Sequence, residues 1–150
     1  MSLIVNKKAH FNYEILDKFE AGIELLGFEV KAIKNKQGNI ESAYVVVRGG
    51  EAFLVNAEIP PYQSANTPAS YEKNRNRKLL LTKKEISLIA NEESKKGLTI
   101  IPISLYNKIV KKGGKIKVEL AIVKGKKKFD KRESLKKRDS DREIRRSLKN

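Results

Sequence analysis

The sequence predicts a mainly β domain with short helices, a small β-barrel over residues 1–124, followed by a basic tail, residues 125–150, that is disordered when free. Three observations predict this. A pair of glycines separates two β-rich runs, apolar residues alternate between positions 101 and 122, and the charge density changes near Lys124.

In chain order, the apolar-rich run from Tyr13 to Leu26 is interrupted by Gly22 and reads as a bent strand. From Leu26 to Lys34, Val30 and Ile33 stand at i,i+3 and predict a short helix ending before Gly38. Ser42 to Arg48 and Glu51 to Asn56 flank Gly49-Gly50, the signature of a tight β-hairpin. A long stretch rich in Pro, Ser, Asn and Thr then runs from Pro60 to Lys78, and loops of this length are usually functional or disordered. Thr82 caps a second helix with Glu85 three residues on, Ile86, Ile89 and Ala90 lining one face and Gly97 stopping it. Ile101, Ile103 and Leu105 form one alternating strand, and Ile116, Val118, Leu120 and Ile122 another, around a Gly113-Gly114 turn. Several short antiparallel strands plus two helices in a basic chain fit a small barrel of the oligonucleotide-binding type. A ferredoxin-like sandwich is the alternative, but the helix from Leu26 to Lys34 is short for a crossover.

The tail holds the other organisational signal. Residues 124–150 carry thirteen Lys and Arg against five Asp and Glu, a net +8 of the chain's +15. Only Phe129, Leu135, Ile144 and Leu148 are apolar there, and Leu135 and Ile144 fall on opposite helix faces. Such a segment has no stripe to bury and cannot offset its ordering entropy. It nevertheless has helix signals: Asp130 and Glu133 at capping-box spacing, and the i,i+4 pairs Glu133 with Lys137 and Asp141 with Arg145. Order on contact with RNA is therefore expected.

Composition narrows the function classes. A charge of +15 over 150 residues favours a polyanionic partner, nucleic acid first. A membrane surface is the rival, but it needs a basic amphipathic helix with a continuous apolar face. No stretch reaches the about 18 apolar residues of a membrane span, and the N-terminus is too short for a signal peptide's apolar region, so a cytoplasmic protein is expected. Cysteine is absent, which removes disulfides, thiol nucleophiles and cysteine-ligated zinc. The single histidine, His10, lacks a triad, phosphate loop or metal-spaced cluster around it. No catalytic group, metal or cofactor is expected.

Two residues break their local pattern. In Leu79-Leu80-Leu81, successive strand side chains face opposite ways, so if Leu79 and Leu81 enter the core Leu80 points outward to pack on an unstacked base; a strand buried on both faces is the alternative. Glu20 puts a carboxylate on the surface expected to bind phosphate, where it can accept from base amino groups or ribose 2′-hydroxyls, although a solvated face or cross-strand ion pair is the commoner reason for such a residue. Lys7 and Lys8 read as solvated, and Gly125-Lys126-Lys127-Lys128 as a phosphate-seeking hinge or a solubilising terminus.

With these residues in view, the chain resembles the SsrA-binding protein family along almost its whole length. The matching blocks are Asn6-Lys7-Lys8-Ala9, Phe19-Glu20-Ala21-Gly22-Ile23, Gly27 with Glu29-Val30-Lys31, Ser42-Ala43-Tyr44-Val45, Arg77-Lys78-Leu79-Leu80-Leu81, Lys96-Gly97-Leu98-Thr99, and Gly125-Lys126-Lys127 followed by Asp130-Lys131-Arg132. The resemblance implies an oligonucleotide-binding-type barrel that grips the tRNA-like part of transfer-messenger RNA. It also implies a tail that enters the ribosomal decoding centre and vacant mRNA channel and becomes helical there. On that basis Asn6, Lys7, Lys8, Glu20 and Leu80 fall on the RNA-binding face, with Arg77 and Lys78 as phosphate contacts. Gly125, Lys126, Lys127, Lys128, Asp130, Lys131 and Arg132 fall in the ribosome-directed motif. The implied partners are transfer-messenger RNA and the ribosome, with no membrane and a monomer when free. Three departures from the family pattern stand out: His10-Phe11-Asn12, a bulky Phe28, and Phe129 before Asp130. A ribosomal or general RNA-binding protein is the alternative, and an RNA-modifying enzyme a third reading that lacks a visible catalytic group.

Overall fold

Gly49 and Gly50 take φ of 59° and 75°, the positive values that a two-residue hairpin turn of the right twist requires at both positions. In the computed structural model, which describes residues 2–62, 67–110 and 113–125, they join β3 (Tyr44–Arg48) to β4 (Glu51–Val55). Ahead of them come β1 (Ser2–Val5), the single-turn α1 (Ala9–Asn12), β2 (Tyr13–Ile23) and α2 (Gly27–Lys34); after them come β5 (Arg77–Leu80), α3 (Lys83–Glu93), β6 (Leu98–Val110) and β7 (Gly113–Gly125). β1 and α1 had no counterpart in the sequence reading.

The seven strands of the described residues form one antiparallel sheet in the order β1-β6-β7-β2-β5-β4-β3. The mainly β, oligonucleotide-binding-like architecture is as expected, but the ring is not closed by hydrogen bonds: β1 and β3 remain edges. The core lies inside the curl, where Ile33, Ile40, Val45, Leu54, Leu79, Leu105, Val118 and Leu120 are buried together. Ile89 brings α3 into the same core, and α3 is capped as predicted, Thr82 Oγ1 accepting from Glu85 N at 3.2 Å and Glu85 Oε1 from Thr82 N at 3.0 Å.

Ile116, Val118, Leu120 and Ile122 all enter that core, as their alternation predicts. The companion strand differs. The register of β6 against β7 shifts between Pro102 and Ser104, and this bulge puts Ile101 and Ile103 into a second cluster with Ala9, Ala121 and Val123 while Leu105 stays in the first. An extra residue in a strand reverses the side on which all later residues fall. That end of the β6–β7 ribbon is thereby buried on both faces, with the turn of α1 covering the second one. β7 extends to Gly125, which pairs with Tyr13, one residue into the segment expected to be tail.

Candidate nucleic-acid interface

Residues directly opposite each other in an antiparallel sheet point to the same side. Leu80 faces Gly22, Gly22 faces Lys117, and Lys117 faces Tyr106. A transverse row therefore crosses β5, β2, β7 and β6 on the outer surface. Leu79 is buried and Leu80 is 51% exposed, so the outward reading of Leu80 holds.

Gly22 sets the shape of this row. A Cβ there would lie 3.1 Å from Leu80 Cβ and 3.3 Å from Leu80 Cδ1, closer than side chains ordinarily pack. The bare backbone lets Leu80 lean across β2 beside Lys117. Below them opens a cleft of about 310 Å³ lined by Ile23, Leu25, Val30 and Ile116 as well. An apolar floor with a cation at its rim suits an unstacked base whose phosphate stays in solvent.

Glu20 lies two residues before Gly22 on the same face. Its Oε1 accepts from Lys108 Nζ at 2.8 Å and its Oε2 from the Tyr106 hydroxyl. The Lys108 hydrogen bond, then that from Tyr106, holds the Glu20 carboxyl below the usual carboxylate range. Burial and the Glu20 bond push the Tyr106 phenol up. At neutral pH the group is thus a carboxylate held by an ammonium and a phenol. With the Glu20 side chain 39% exposed, oxygen lone pairs remain for the amino groups or 2′-hydroxyls of a bound RNA. Glu20 is a cross-strand ion pair, the commoner of the two sequence readings, and that pair is what fixes its position. Farther along, Lys18 pairs with Glu119 at 3.5 Å and Lys78 with Glu51 at 3.2 Å. Lys115 and Lys117 make no ion pair among the described residues.

Arg77 is a correction to the sequence reading. Period-2 alternation that turns Leu80 outward turns Arg77 inward with Leu79, and its side chain is 0% exposed. A buried guanidinium needs partners for its donors. Arg77 Nε and Nη2 donate to Glu29 Oε2 at 2.9 and 2.7 Å, and the remaining bonds reach the carbonyls of Ala57, Arg75 and Lys73 and the Tyr71 hydroxyl. Glu29, also fully buried, takes Arg75 as a second cation at 2.5 Å and accepts from Leu26 N at 2.7 Å, which caps α2. Burial opposes its charge, but the bonds from Arg75, Leu26 and Tyr71 outweigh it and hold the carboxyl below its ordinary value. Tyr71 is in turn pushed up to about 12 by burial and by Glu29; its ring meets Phe28 edge-on at 4.7 Å. This network ties the 60–78 loop to α2 and β5, and no phosphate can reach Arg77.

Asn6 is also turned inward. It is buried, its Nδ2 donating to Pro102 O at 3.0 Å and its backbone N–H to Ile103 O at 2.8 Å. It pins the corner from which Lys7 and Lys8 project, exposed. Of the expected set, Glu20, Lys78 and Leu80 share the outer face. Gly125 is exposed at the end of β7, while Lys126, Lys127, Lys128, Asp130, Lys131 and Arg132, with the expected disorder and helix of the tail, lie outside the described residues. Tyr106, Lys108 and Lys117 were missed. Their outward direction was legible from alternation, but their proximity to Glu20 depends on which strands are neighbours. Among the described residues no group of His, Asp or Glu is arranged to hold a metal, and no helix is long and apolar enough to cross a membrane.

The family model described as SmpB protein matches residues 3–150. The chain belongs to the SmpB family. Two curated relatives show how closely: it is similar to the SsrA-binding protein of Mesoplasma florum, 48% identical over 147 residues covering 98% of this chain and 96% of the relative. It is also similar to the SsrA-binding protein of Trichormus variabilis, 44% identical over 145 residues covering 97% and 91%. Among solved structures it is similar to a chain described as "tmRNA-SmpB: a journey to the center of the bacterial ribosome", with a TM-score of 0.68 and 34% identity over 85% of this chain and 87% of that one. As an SmpB family member of near-full relative length, it carries the outer-face row within the matched region.

Proposed function

We propose that this chain binds the tRNA-like part of transfer-messenger RNA and delivers it to stalled ribosomes for trans-translation. The observation that carries the reading is family membership over residues 3–150, joined to likeness with a solved chain described under the words tmRNA-SmpB and the bacterial ribosome. The outer face supplies a physical route. Leu80 packs on an unstacked base, Glu20 accepts hydrogen bonds that a phosphate cannot offer, and Lys117 with Lys115 neutralises backbone charge. Lys7 and Lys8 extend the same electrostatic footprint around the corner held by Asn6.

The second half of the proposal concerns residues 125–150 as a tail distinct from the 1–124 domain. Its cations and the Asp130-Lys131-Arg132 motif act in the decoding centre and vacant mRNA channel, where the segment becomes helical. The protein is a cytoplasmic monomer when free and makes or breaks no bond, so it works by standing in for part of a tRNA.

A gel shift at fixed salt, comparing the folded tRNA-like RNA with unstructured RNA of equal length, tests the first half. Tighter binding to the folded RNA, weakened by Glu20→Ala without loss of the fold, is expected. Equal binding of both RNAs supports a general RNA-binding protein instead. For the second half, Asp130→Ala combined with Lys131→Ala leaves RNA binding unchanged and abolishes tagging on ribosomes. Loss of RNA binding by that variant contradicts the division between domain and tail.

A further inference from the structure

Beyond β5, the same outer sheet surface continues over the β3–β4 hairpin, away from the Leu80 cleft. Phe53 faces Lys78 across β4 and β5, Val46 faces Phe53, and Tyr44 faces Val55. These residues, with Arg48 and Asn76, line a groove of about 300 Å³. Tyr44 is 42% exposed, and Val46, Phe53 and Val55 are only half-buried. An apolar strip with two aromatic rings on a hairpin at a sheet edge is a liability unless something uses it.

The polar residues on its rim indicate what that is. Among the described residues the Arg48 guanidinium makes no ion pair and the Asn76 carboxamide no hydrogen bond, and both residues are exposed. The acid beside the groove, Glu51, is already held by Lys78 at 3.2 Å. The rim therefore presents a free cation and an amide with both donors and an acceptor, on a chain of net charge +15. Aromatic faces on a strand pair, with a cation and an amide alongside, are the elements by which open sheets hold single-stranded RNA.

We propose that this groove is a second RNA-docking surface, which takes one unstacked nucleotide of a single-stranded segment. The base stacks on Tyr44 and covers Phe53, Asn76 hydrogen-bonds its edge, and Arg48 meets the adjoining phosphate. The surface is separate from the Leu80 cleft, since none of its lining residues is shared with that cleft.

The test uses the full chain and a 4-thiouridine-labelled single-stranded RNA octamer at physiological salt, with photo-cross-links mapped to peptides and affinity read by anisotropy. Cross-links to the Tyr44 or Phe53 peptides are expected, and they persist in Leu80→Ala. Tyr44→Ala and Arg48→Ala each weaken binding by about 5-fold or more, the low end of what stacking one base contributes, and Tyr44→Phe restores it. Arg48 is exposed, so its variant keeps the test valid if Tyr44→Ala does not fold. Cross-links confined to the Leu80 cleft or the tail, or unchanged affinity in folded Arg48→Ala, overturn the proposal. So does a groove that retains a protein partner with no RNA cross-link. None of these outcomes touches the Leu80-face reading, which Glu20→Ala tests separately.

Discussion

Replacing Arg77 by Met separates two roles that the sequence alone confuses. Six hydrogen bonds leave this guanidinium, two of them to the Glu29 carboxylate and three to backbone carbonyls. Met keeps much of the volume and makes none of them. Glu29 retains Arg75 and the Leu26 N–H, so its charge is not wholly orphaned, but the Ala57 carbonyl loses its bond from Arg77 and the Lys73 carbonyl keeps only that from Ile59 N. Breaking a buried pair from one side costs about 3–5 kcal/mol, a large share of a typical stability of about 5–15 kcal/mol. At roughly 3–4 °C per kcal/mol for a domain of this size, the midpoint falls by about 10–20 °C. Circular-dichroism melts measure this. RNA affinity of the folded fraction, titrated against salt at low temperature, measures the rest. A buried Arg77 leaves the slope of log K against log salt unchanged, whereas a phosphate contact would reduce it by about 0.7–0.9. Stability within about 1 kcal/mol of the parent together with a reduced slope would refute the structural assignment and restore Arg77 to the RNA interface.

Two further outcomes follow from the same residues. Gly22→Ala brings a methyl to 3.1 Å from Leu80 Cβ, so Leu80 has to shift by a few tenths of an ångström; this displacement lowers affinity for the folded tRNA-like RNA, read by gel shift, more than Leu80→Met does. Glu29 has a folded pKa below its unfolded one, so its contribution is fully present above the ordinary carboxylate range and is lost as pH falls through the folded value. Urea midpoints are therefore flat from neutral down to about pH 5 and decline below it; a Glu29→Gln variant, destabilised throughout, shows a shallower decline.

The parts of the fold legible in the sequence are those set by local chemistry. Gly49-Gly50 dictates a hairpin because both positions need positive φ, Thr82 with Glu85 caps a helix wherever it lies, and the alternation from Ile116 to Ile122 survives because no bulge interrupts it. β1 and α1 were not legible, since four residues each carry no period. β1 exists because β6 offers it a partner, and α1 because Ala9 fills the second cluster. Ile101 and Ile103 look like Leu105 in the sequence, and only the shift between Pro102 and Ser104 sends them to another cluster.

The interface divides along the same line. Leu80 could be placed outward because its neighbours in the run fix the phase of the strand. That phase also fixes Arg77: an odd separation from Leu80 puts it on the core side, where an arginine is tolerable only with a buried acid. The acid is Glu29, 48 residues away in the chain, so the sequence gives the direction of Arg77 but not its partner. Glu20 presents the opposite case. Its face follows from β2, yet what makes it more than a solvated acid is the pair Tyr106 and Lys108, brought over β7 from a strand 86 and 88 residues later. A lysine and a tyrosine two apart on a polar strand face occur on many surfaces. Here the order β6-β7-β2 aims both at one carboxylate, and this long-range pairing turns an ordinary charge into a positioned hydrogen-bond acceptor beside an exposed leucine.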